Sequence, residues 1–284
     1  MIDHWIQTFI LLYETMNYRE AAARLHMTQP AVTQHIQYLE REYGCRLFLY
    51  DGRRLRRTAE AEILKRYADT SVYRERKLLQ ALHPRRGVQL RIGATKTIGE
   101  YAIYEHVQRF LKEPENQLTL EVDNTAEILR LLREGRVDFA LVEGFFPRTE
   151  FGYRLYRKEQ FTGVCGVHHP FAGKTVALEA LWREHLICRE KNSGTRAIME
   201  QLLMEQNHTI ADFARVTSIG NFGLLSRLVA DHQGITFTYN AVCEGHPGLE
   251  RFSVEGWDTV REFNYVYLCD TEAEEAVGVF EGYR

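Results

Sequence analysis

The stretch NYREAAARLHMTQPAVTQHIQYLEREY, residues 17–43, predicts two short helices joined by a tight corner. Asn17 can cap the first helix, with Glu20 at the capping-box spacing, and Thr28 can cap the second. Pro30 falls near the first turn of the second helix, where its missing N–H costs nothing. The apolar residues recur at helical spacing and are expected to face one core: Ala21, Ala22, Leu25, Ala31, Val32, Ile36 and Leu39.

The outer face of the second helix is polar and uncharged, with Gln29, Thr33, Gln34 and Gln37. Amide and hydroxyl groups can donate to and accept from base edges in a major groove, as the second helix of a helix-turn-helix does. An ordinary helical hairpin with a solvated face fits the same pattern. The helix pair alone therefore leaves both interpretations open.

The following residues favour DNA binding over a structural hairpin. Gly44 suits the position just after a helix, and LFLYDGRRLRRT (47–58) predicts a hairpin, or wing, that turns at Asp51-Gly52. Four guanidinium groups on one hairpin suit phosphates or a narrow minor groove. They belong to Arg53, Arg54, Arg56 and Arg57.

Charge is divided unequally along the chain. Residues 1–87 contain 15 Lys+Arg and 10 Asp+Glu, a net charge of +5, whereas the whole chain carries −3. Residues 88–284 therefore carry −8. Because nucleic-acid binding depends on where positive charge lies, the basic N-terminal part is the expected DNA-binding end.

The chain resembles the LysR-type transcriptional regulators. The resemblance rests on Phe9, AAARL (21–25), QPAV (29–32) and LEREYGCRLF (39–48). It implies a winged helix-turn-helix over residues 1–58, a linker and dimerisation helix with a hinge over 59–87, and an effector-binding domain over 88–284. The residues expected to contact DNA are Thr28, Gln29, Pro30, Thr33, Gln34, Arg53 and Arg54.

This chain departs from the family pattern just beyond these motifs. Leu49-Tyr50 follows Leu47-Phe48, where the family usually has an arginine, and Arg57-Thr58-Ala59-Glu60-Ala61 replaces the usual Leu-Thr-x-Ala-Gly. Arg57 can add a phosphate contact or be solvated at a normally apolar position. The departures leave the fold intact but bear on the wing contacts.

Residues 58–82 predict a long helix with one apolar stripe, formed by Ala61, Leu64, Ala68, Val72, Leu79 and Leu82. In the family this helix pairs with its copy in a second subunit, and packing against its own domain is the alternative. The segment His83-Pro84-Arg85-Arg86-Gly87 predicts a break that serves as the hinge.

From Val88 onward, strands alternate with helices, which indicates an α/β fold. Strands such as VQLRIGA (88–94) and VDFALVEG (137–144) form one lobe, and FTGVCGV (161–167) begins the other. We expect lobe I to comprise 88–160 and 265–284, and lobe II 161–264. The family resemblance implies a periplasmic-binding-protein-like clamshell with two crossings between its lobes.

Three strand-to-helix junctions of the clamshell are candidates for effector binding, because free N–H groups at a helix N-terminus favour anions. The family resemblance places effector loops at 95–97 and 193–196, and the alternative is that these side chains only cap helices. Glu143 can line the hinge or be a solvated or salt-bridged acid. The candidate effector-binding residues are Thr95, Lys96, Thr97, Ser193, Gly194, Thr195 and Asn221.

Other functions find less support in the sequence. The common hydrolase, nucleotide-binding and zinc-protease motifs are absent, the five cysteines form no C-x-x-C pair, and His168-His169 precedes Pro170 at a turn, so we expect no enzyme, metal or cofactor. A thiol-redox sensor of the same architecture is an alternative, but Cys188 has no second cysteine in the following helix. A solute-binding receptor is the other alternative, and the basic head and missing export signal oppose it.

The expected partners are double-stranded DNA at an operator or promoter, a small polar or anionic effector, and further copies of the chain in a homodimer or homotetramer. The resemblance leaves RNA polymerase open as a further partner. With no apolar stretch of about 18 residues, the sequence predicts a cytoplasmic protein without a membrane segment.

Overall fold

A computed structural model describes residues 3–83, 86–244, 246–257, 259–269 and 271–283. These residues form two units: the first comprises residues up to 83 together with Arg133–Arg136, and the second comprises the others from Arg86 onward. Pro84 and Arg85, at the centre of the predicted hinge, lie outside the described residues.

The first unit is a winged helix-turn-helix followed by a long helix, as the sequence predicts. Its elements are α1 (His4–Thr15), α2 (Tyr18–Arg24), α3 (Gln29–Glu42), β1 (Phe48–Asp51), β2 (Arg54–Arg57) and α4 (Ala59–Leu82). Its core takes the apolar stripe of each helix and the base of the wing, including Phe9, Leu12, Ala21, Val32, Ile36, Leu39 and Leu47.

Side-chain caps set the boundaries of the two short helices. The Asn17 carboxamide accepts from the N–H groups of Arg19 and Glu20 at the start of α2. Thr28 accepts from Ala31 N–H at the start of α3. The Glu20 carboxylate is bonded to Arg24 at 2.7 Å, so only the Asn17 half of the predicted capping box is observed.

The end of α3 depends on a glycine. Gly44 has φ +63°, and the N–H groups of Gly44 and Cys45 bond back to the carbonyls of Arg41 and Glu40. This is a Schellman motif, which needs a residue in the left-handed region. It reverses the chain into β1.

Helix α4 is buried along one side as far as Tyr73, and its last turns are largely exposed. Ala61, Leu64 and Ala68 of the predicted stripe are buried, and Val72 is half-buried, but Leu79 and Leu82 are 53% and 62% exposed. Ile63, Tyr67 and Leu78 add to this exposed apolar surface. The helix therefore carries more apolar surface than its own unit covers.

The second unit is an α/β fold around one shared sheet. Its strands are β3 (Gln89–Thr95), β4 (Gln117–Asp123), β5 (Phe139–Glu143), β6 (Phe151–Gly166), β7 (Thr175–Val176), β8 (His185–Cys188), β9 (Arg215–Ser218), β10 (Thr236–Tyr239), β11 (Leu249–Val254) and β12 (Val260–Leu268). Its helices are α5 (Tyr104–Phe110), α6 (Thr125–Arg133), α7 (Gly194–Glu205), α8 (Phe222–Ala230), α9 (Asn240–Glu244) and α10 (Ala273–Glu281), together with a π-helical turn at Ile98–Ala102.

Strand β6 belongs to two groups of strands. Its first ten residues, 151–160, pair with β12, which continues through β5 and β3 to β4. Its last six residues, 161–166, pair with β10 and with β11. We call the β4-β3-β5-β12 side, with α5, α6 and α10, the first lobe. The β10-β11-β7 side, with the parallel pair β8-β9 and α7 to α9, is the second lobe.

The observed β6 is longer than the predicted strand, which began at Phe161. The added part, FGYRLYRKEQ, alternates between buried or half-buried and more exposed positions and carries four charged residues. The later part, FTGVCG, is buried throughout. Only the later part has the continuous apolar character that marks a buried strand.

Within the described residues, none of the helices combines the length and the apolar character that crossing a bilayer requires.

Candidate DNA-reading surface and effector cavity

Helix α3 presents the uncharged polar face that the sequence predicts. Gln29, Gln34 and Gln37 are exposed, and Thr33 is half-buried. The Thr33 hydroxyl donates to the carbonyl of Gln29 at 3.1 Å and accepts from the Gln29 side-chain amide at 3.4 Å. Thr28 and Pro30 are also exposed at the helix start, beside the same face.

The wing is attached to α3 through the carboxylate of Glu40. Its oxygens accept from the N–H groups of Leu47 and Phe48, at 2.9 and 3.4 Å, and from the Arg46 side chain at 2.8 Å. The Glu40 side chain is only 9% exposed, so these bonds are partly shielded from water. This contact fixes the start of the hairpin relative to α3.

The four wing arginines fall into two classes. Arg53 lies at the turn beside Gly52, and Arg53 and Arg54 are both exposed. Arg56 is paired with Asp51 across the hairpin. Arg57 donates two hydrogen bonds to the carbonyl of Tyr13, at 2.7 and 3.2 Å, and lies over its ring at 4.1 Å.

Arg57 is therefore not simply solvated, since its guanidinium contacts the Tyr13 carbonyl and ring. The contact closes the wing against α1, and the Tyr13 hydroxyl in turn donates to Glu62 on α4. Burial and the Glu62 carboxylate raise the pKa of Tyr13 to about 12. Sequence reasoning missed this contact, because its partner is a backbone carbonyl 44 residues away.

A small cavity lies where the two lobes of the second unit meet. It has a volume of about 10 Å³, which is room for about one water molecule. The first lobe contributes Thr95, Lys96, Asn124, Thr125 and Glu143, and the second contributes Arg189, Glu190, Ser193 and Gly194.

Glu143, at the end of β5, is the central group of this cavity. It is 2% exposed, and its Oε1 accepts from the hydroxyls of Thr97 at 2.9 Å and Thr195 at 3.3 Å. The two threonines come from different lobes, so this one oxygen joins the lobes. Within the described residues the carboxyl is neither solvated nor salt-bridged, and it lines the junction between the lobes, which agrees with the hinge reading of the sequence.

Burial raises the pKa of Glu143 to about 7, against the opposing effects of the Thr97 hydrogen bond and the Arg189 charge. The carboxyl is therefore poised to exchange a proton near neutral pH.

The N-terminus of α7 opens onto the cavity without a side-chain cap. Ser193 occupies the N-cap position, but its side chain makes no capping hydrogen bond, and Gly194 is the first helical residue. Neither residue blocks the first N–H groups of a 12-residue helix. This junction can accept an anion.

Two other α-helix starts, those of α6 and α8, are capped. Asn124 accepts from Glu127 N–H at 3.0 Å at the start of α6, and Asn221 accepts from Leu224 N–H at 2.8 Å at the start of α8. Asn221 is exposed and does not line the cavity. Its observed contact is that of a helix cap.

A carboxylate from the second lobe is held by two cations at the cavity. Glu190 accepts two bonds from the adjacent Arg189, at 2.9 and 3.2 Å, and one from Lys96 of the first lobe at 3.1 Å. Arg189 is 3% exposed and lies over the Phe222 ring at 4.5 Å. Lys96–Glu190 is thus a salt bridge between lobes.

The structure brings most of the predicted effector residues to one place. Thr95, Lys96, Ser193 and Gly194 line the cavity, and Thr97 and Thr195 reach it through Glu143. The sequence interpretation missed Arg189, Glu190, Asn124 and Thr125. The first two lie shortly before the Ser-Gly-Thr-Arg loop, separated from it by two residues, and that position was the available signal.

The cysteines are single thiols in the structure. Cys165 and Cys188 are buried, Cys45 and Cys243 are half-buried, and Cys269 is exposed. Burial raises the pKa of Cys188, which disfavours the reactive thiolate. Across the described residues, no group of three or more histidine, cysteine or acidic side chains could hold a metal ion.

Two family models match the chain. Residues 4–62 match the family described as "Bacterial regulatory helix-turn-helix protein, lysR family", and residues 84–283 match "LysR substrate binding domain". Together they extend over both units.

Individual proteins are similar over most of the chain. The "Uncharacterized HTH-type transcriptional regulator MJ0300" of Methanocaldococcus jannaschii is 28% identical over 82% of this chain and 80% of its own length. The "HTH-type transcriptional regulator CysL" of Bacillus subtilis is 30% identical over 70% of this chain and 68% of its own length. A solved structure of the Synechocystis PCC6803 CcmR regulatory domain in complex with 2-PG matches with a TM-score of 0.60 and 20% identity, over 68% of this chain and 96% of that one, which shows a shared fold.

The raised pKa of Glu143 predicts a distinct pH dependence of stability. Because the folded chain holds this proton more tightly than the unfolded chain, the free energy of unfolding should fall as pH rises from about 4.5 to about 7. Glu143→Gln, which cannot ionise, should lack this fall and be more stable than wild type above pH 7 by up to about 3 kcal/mol. Urea unfolding at several pH values, in buffers without small oxyanions, measures the difference.

The matched control is Glu105→Gln, whose side chain is 76% exposed. Its stability should follow the wild-type pH curve. Parallel curves for wild type and Glu143→Gln would show that Glu143 is ionised as readily in the folded chain as in the unfolded one.

Proposed function

Because the chain belongs to the LysR family of transcriptional regulators, in which a helix-turn-helix segment is joined to a substrate-binding domain, we propose that α3 and the wing bind operator DNA in response to a small anion held between the lobes. Binding of the anion changes the separation of the lobes. This in turn changes how the helix-turn-helix segments of the copies contact DNA.

The exposed uncharged face of α3 supports the DNA-binding part of this proposal. Gln29 and Gln34 offer paired donor and acceptor groups suited to base edges, and Thr33 adds a methyl group and an acceptor. Thr28 and Pro30 lie at the helix start, where main-chain and side-chain groups of such helices approach the phosphates. Within the described residues, the side chains of Arg53 and Arg54 form no ion pair or hydrogen bond, whereas those of Arg56 and Arg57 do, and Arg53 and Arg54 supply phosphate or minor-groove contacts.

The single observation that carries the effector part is the uncapped N-terminus of α7 facing a cavity that also holds Lys96 and Arg189. Free N–H groups with a lysine and an arginine form a site for negative charge. The Glu190 carboxylate is already paired with Lys96 and Arg189. An incoming anion therefore competes with Glu190 for these cations and loosens the Lys96–Glu190 salt bridge between the lobes. The CcmR regulatory domain in complex with 2-PG is a precedent for a ligand in this fold.

The exposed apolar side chains of α4 support a homodimer, since Ile63, Tyr67, Leu78, Leu79 and Leu82 need a cover that a second copy can provide. Two copies also supply the two recognition helices that a symmetric operator needs. A homotetramer and contact with RNA polymerase remain expectations from the resemblance.

The two alternatives have less support. A thiol-redox sensor needs an accessible thiolate, whereas Cys188 is buried. A solute-binding receptor explains the clamshell but leaves the match of residues 4–62 to a regulatory helix-turn-helix family without a role.

Base reading by α3 can be tested on a duplex selected by the wild-type protein from random sequences. Gln29→Ala with Thr33→Ala should reduce the preference for that duplex over unrelated DNA by about tenfold or more, because each lost base contact is worth about 1–3 kcal/mol. Gel shifts at physiological salt measure this preference. Gln108→Ala, an exposed glutamine of the second unit, serves as the control. A preserved preference in the double variant would place base reading elsewhere.

Phosphate contacts by the wing can be tested through the salt dependence of binding. Arg53→Ala with Arg54→Ala should reduce the slope of log affinity against log salt by roughly one unit per lost contact. Arg56→Ala is the matched control from the same hairpin, and it should change the slope less because Arg56 is already paired with Asp51. An equal slope in wild type and the double variant would mean that the wing does not touch phosphates.

The anion site can be tested with inorganic phosphate and the full chain. Lys96→Met should weaken binding about tenfold or more, because a hydrogen bond to a charged group is worth about 1.5–3 kcal/mol. Titration calorimetry in a buffer free of other oxyanions measures the affinity, and Lys112→Met, an exposed lysine beyond the cavity, is the control. Equal affinities for wild type and Lys96→Met would exclude Lys96 from the site.

A further inference from the structure

Two polar atoms at the cavity are buried without a hydrogen-bond partner in the described part of the chain. They are Oε2 of Glu143 and Oγ1 of Thr125. Both residues line the cavity, and both belong to the first lobe. Buried polar atoms are nearly always satisfied in folded proteins, so two at one small cavity point to a ligand that satisfies them.

The orientation of Glu143 is fixed by its other oxygen. Thr97 and Thr195 both donate to Oε1, one from each lobe, and this leaves Oε2 without a donor. A carboxylate oxygen accepts hydrogen bonds and, when ionised, donates none. The group that fills the cavity must therefore bring a donor to Oε2, or Glu143 must carry the proton itself.

The surroundings at the same time favour negative charge. The first N–H groups of α7, Lys96 and Arg189 all border the cavity that Glu143 borders. An anion whose oxygens are all bare would meet the Glu143 carboxylate as one negative charge against another, in a setting screened poorly by water. An anion that keeps an O–H group avoids this conflict, because it can donate to Oε2 while its charge faces the cations.

We propose that the effector is a small anion that retains an O–H group, such as a hydrogen oxyanion or a hydroxycarboxylate, and that Glu143 accepts a hydrogen bond from this group and so selects against anions without one. This inference rests on the anion site proposed above and specifies its ligand. Thr125 provides a second hydroxyl for the same ligand, as donor or as acceptor.

The small size of the cavity indicates that binding of the anion requires the lobes to move. Room for about one water molecule does not hold an anion of four or more heavy atoms. The lobes therefore separate as the ligand enters, and the contacts that give way are those between lobes at the cavity. They include the Lys96–Glu190 salt bridge and the hydrogen bond from Thr195 to Glu143.

The selectivity depends on pH, because Glu143 and the ligand share one proton. The charged and titratable groups around this carboxyl are Arg189, Lys96 and Glu190 at the cavity, Tyr239, which interacts electrostatically with Glu143, and Glu100, which interacts with the first three. With the pKa of Glu143 near 7, the carboxyl is ionised at higher pH and needs a donor from the ligand. At lower pH it carries its own proton and can donate to an anion without an O–H group.

The experiment compares two matched pairs of anions on the full-length protein by titration calorimetry: inorganic phosphate with sulfate, and glycolate with acetate. The first member of each pair keeps an O–H group and the second does not. At about pH 8.5, where Glu143 is ionised, wild type should bind at least one hydroxyl-bearing anion about tenfold or more tightly than its partner. At about pH 6 the preference should narrow, because Glu143 is then protonated in most molecules.

Glu143→Gln is the decisive variant, since its amide can donate to a bare anion at any pH. It should lose the preference at about pH 8.5 and bind sulfate or acetate more tightly than wild type does. Glu105→Gln should keep the wild-type preference. Unfolding curves of both variants verify that they fold, and the pH dependence of the wild-type preference tests the same proposal without any variant.

The outcomes separate this inference from the proposed function. Equal binding of both members of a pair by wild type at about pH 8.5 would overturn the role of Glu143 and leave the anion site standing. A preference that persists in Glu143→Gln would also overturn it. No binding of any of the four anions at either pH would remove the anion site and this inference together.

Discussion

The single strand β6 joins the two lobes of the second unit and sets where they meet. Its residues 151–160 pair with β12, and its residues 161–166 pair with β10 and β11, so one continuous backbone carries both lobes. A strand is stiff along its hydrogen-bonded length, and β6 therefore fixes the line on which the lobes meet. The proposed effector cavity lies between these lobes, bordered by β5, which ends at Glu143, and by the start of α7.

The chemistry of the cavity comes from the unequal pairing of its two carboxyl groups. Several cationic and N–H groups face a space that also contains two carboxyl groups, Glu143 and Glu190. Glu190 is satisfied by Arg189 and Lys96, whereas Glu143 is buried with hydroxyl partners on one oxygen only. In the proposed function, this site binds an anion by exchanging ion-pair partners, and that exchange transmits ligand binding to the rest of the chain.

In the first unit, polar contacts hold α3 in place and leave its outer face exposed. Glu40 ties the base of the wing to α3, and Arg57 ties the far strand of the wing to Tyr13 on α1. Both are polar contacts at the edge of a small apolar core. They leave Gln29, Gln34, Arg53 and Arg54 outward, so the same elements that stabilise the fold define the surface that is left for DNA.

The sequence by itself determined the helix pair, its caps, the glycine that ends α3, and the alternation of strands and helices, because each of these depends on residues a few positions apart. It also placed the loops at 95–97 and 193–196, whose residues do meet at one cavity. Only the tertiary structure decided the role of Arg57, the first half of β6, the cap made by Asn221 and the partners of Glu143. Those depend on groups from distant parts of the chain, often backbone atoms or hydroxyls, and neither periodicity nor spacing records which of them come together.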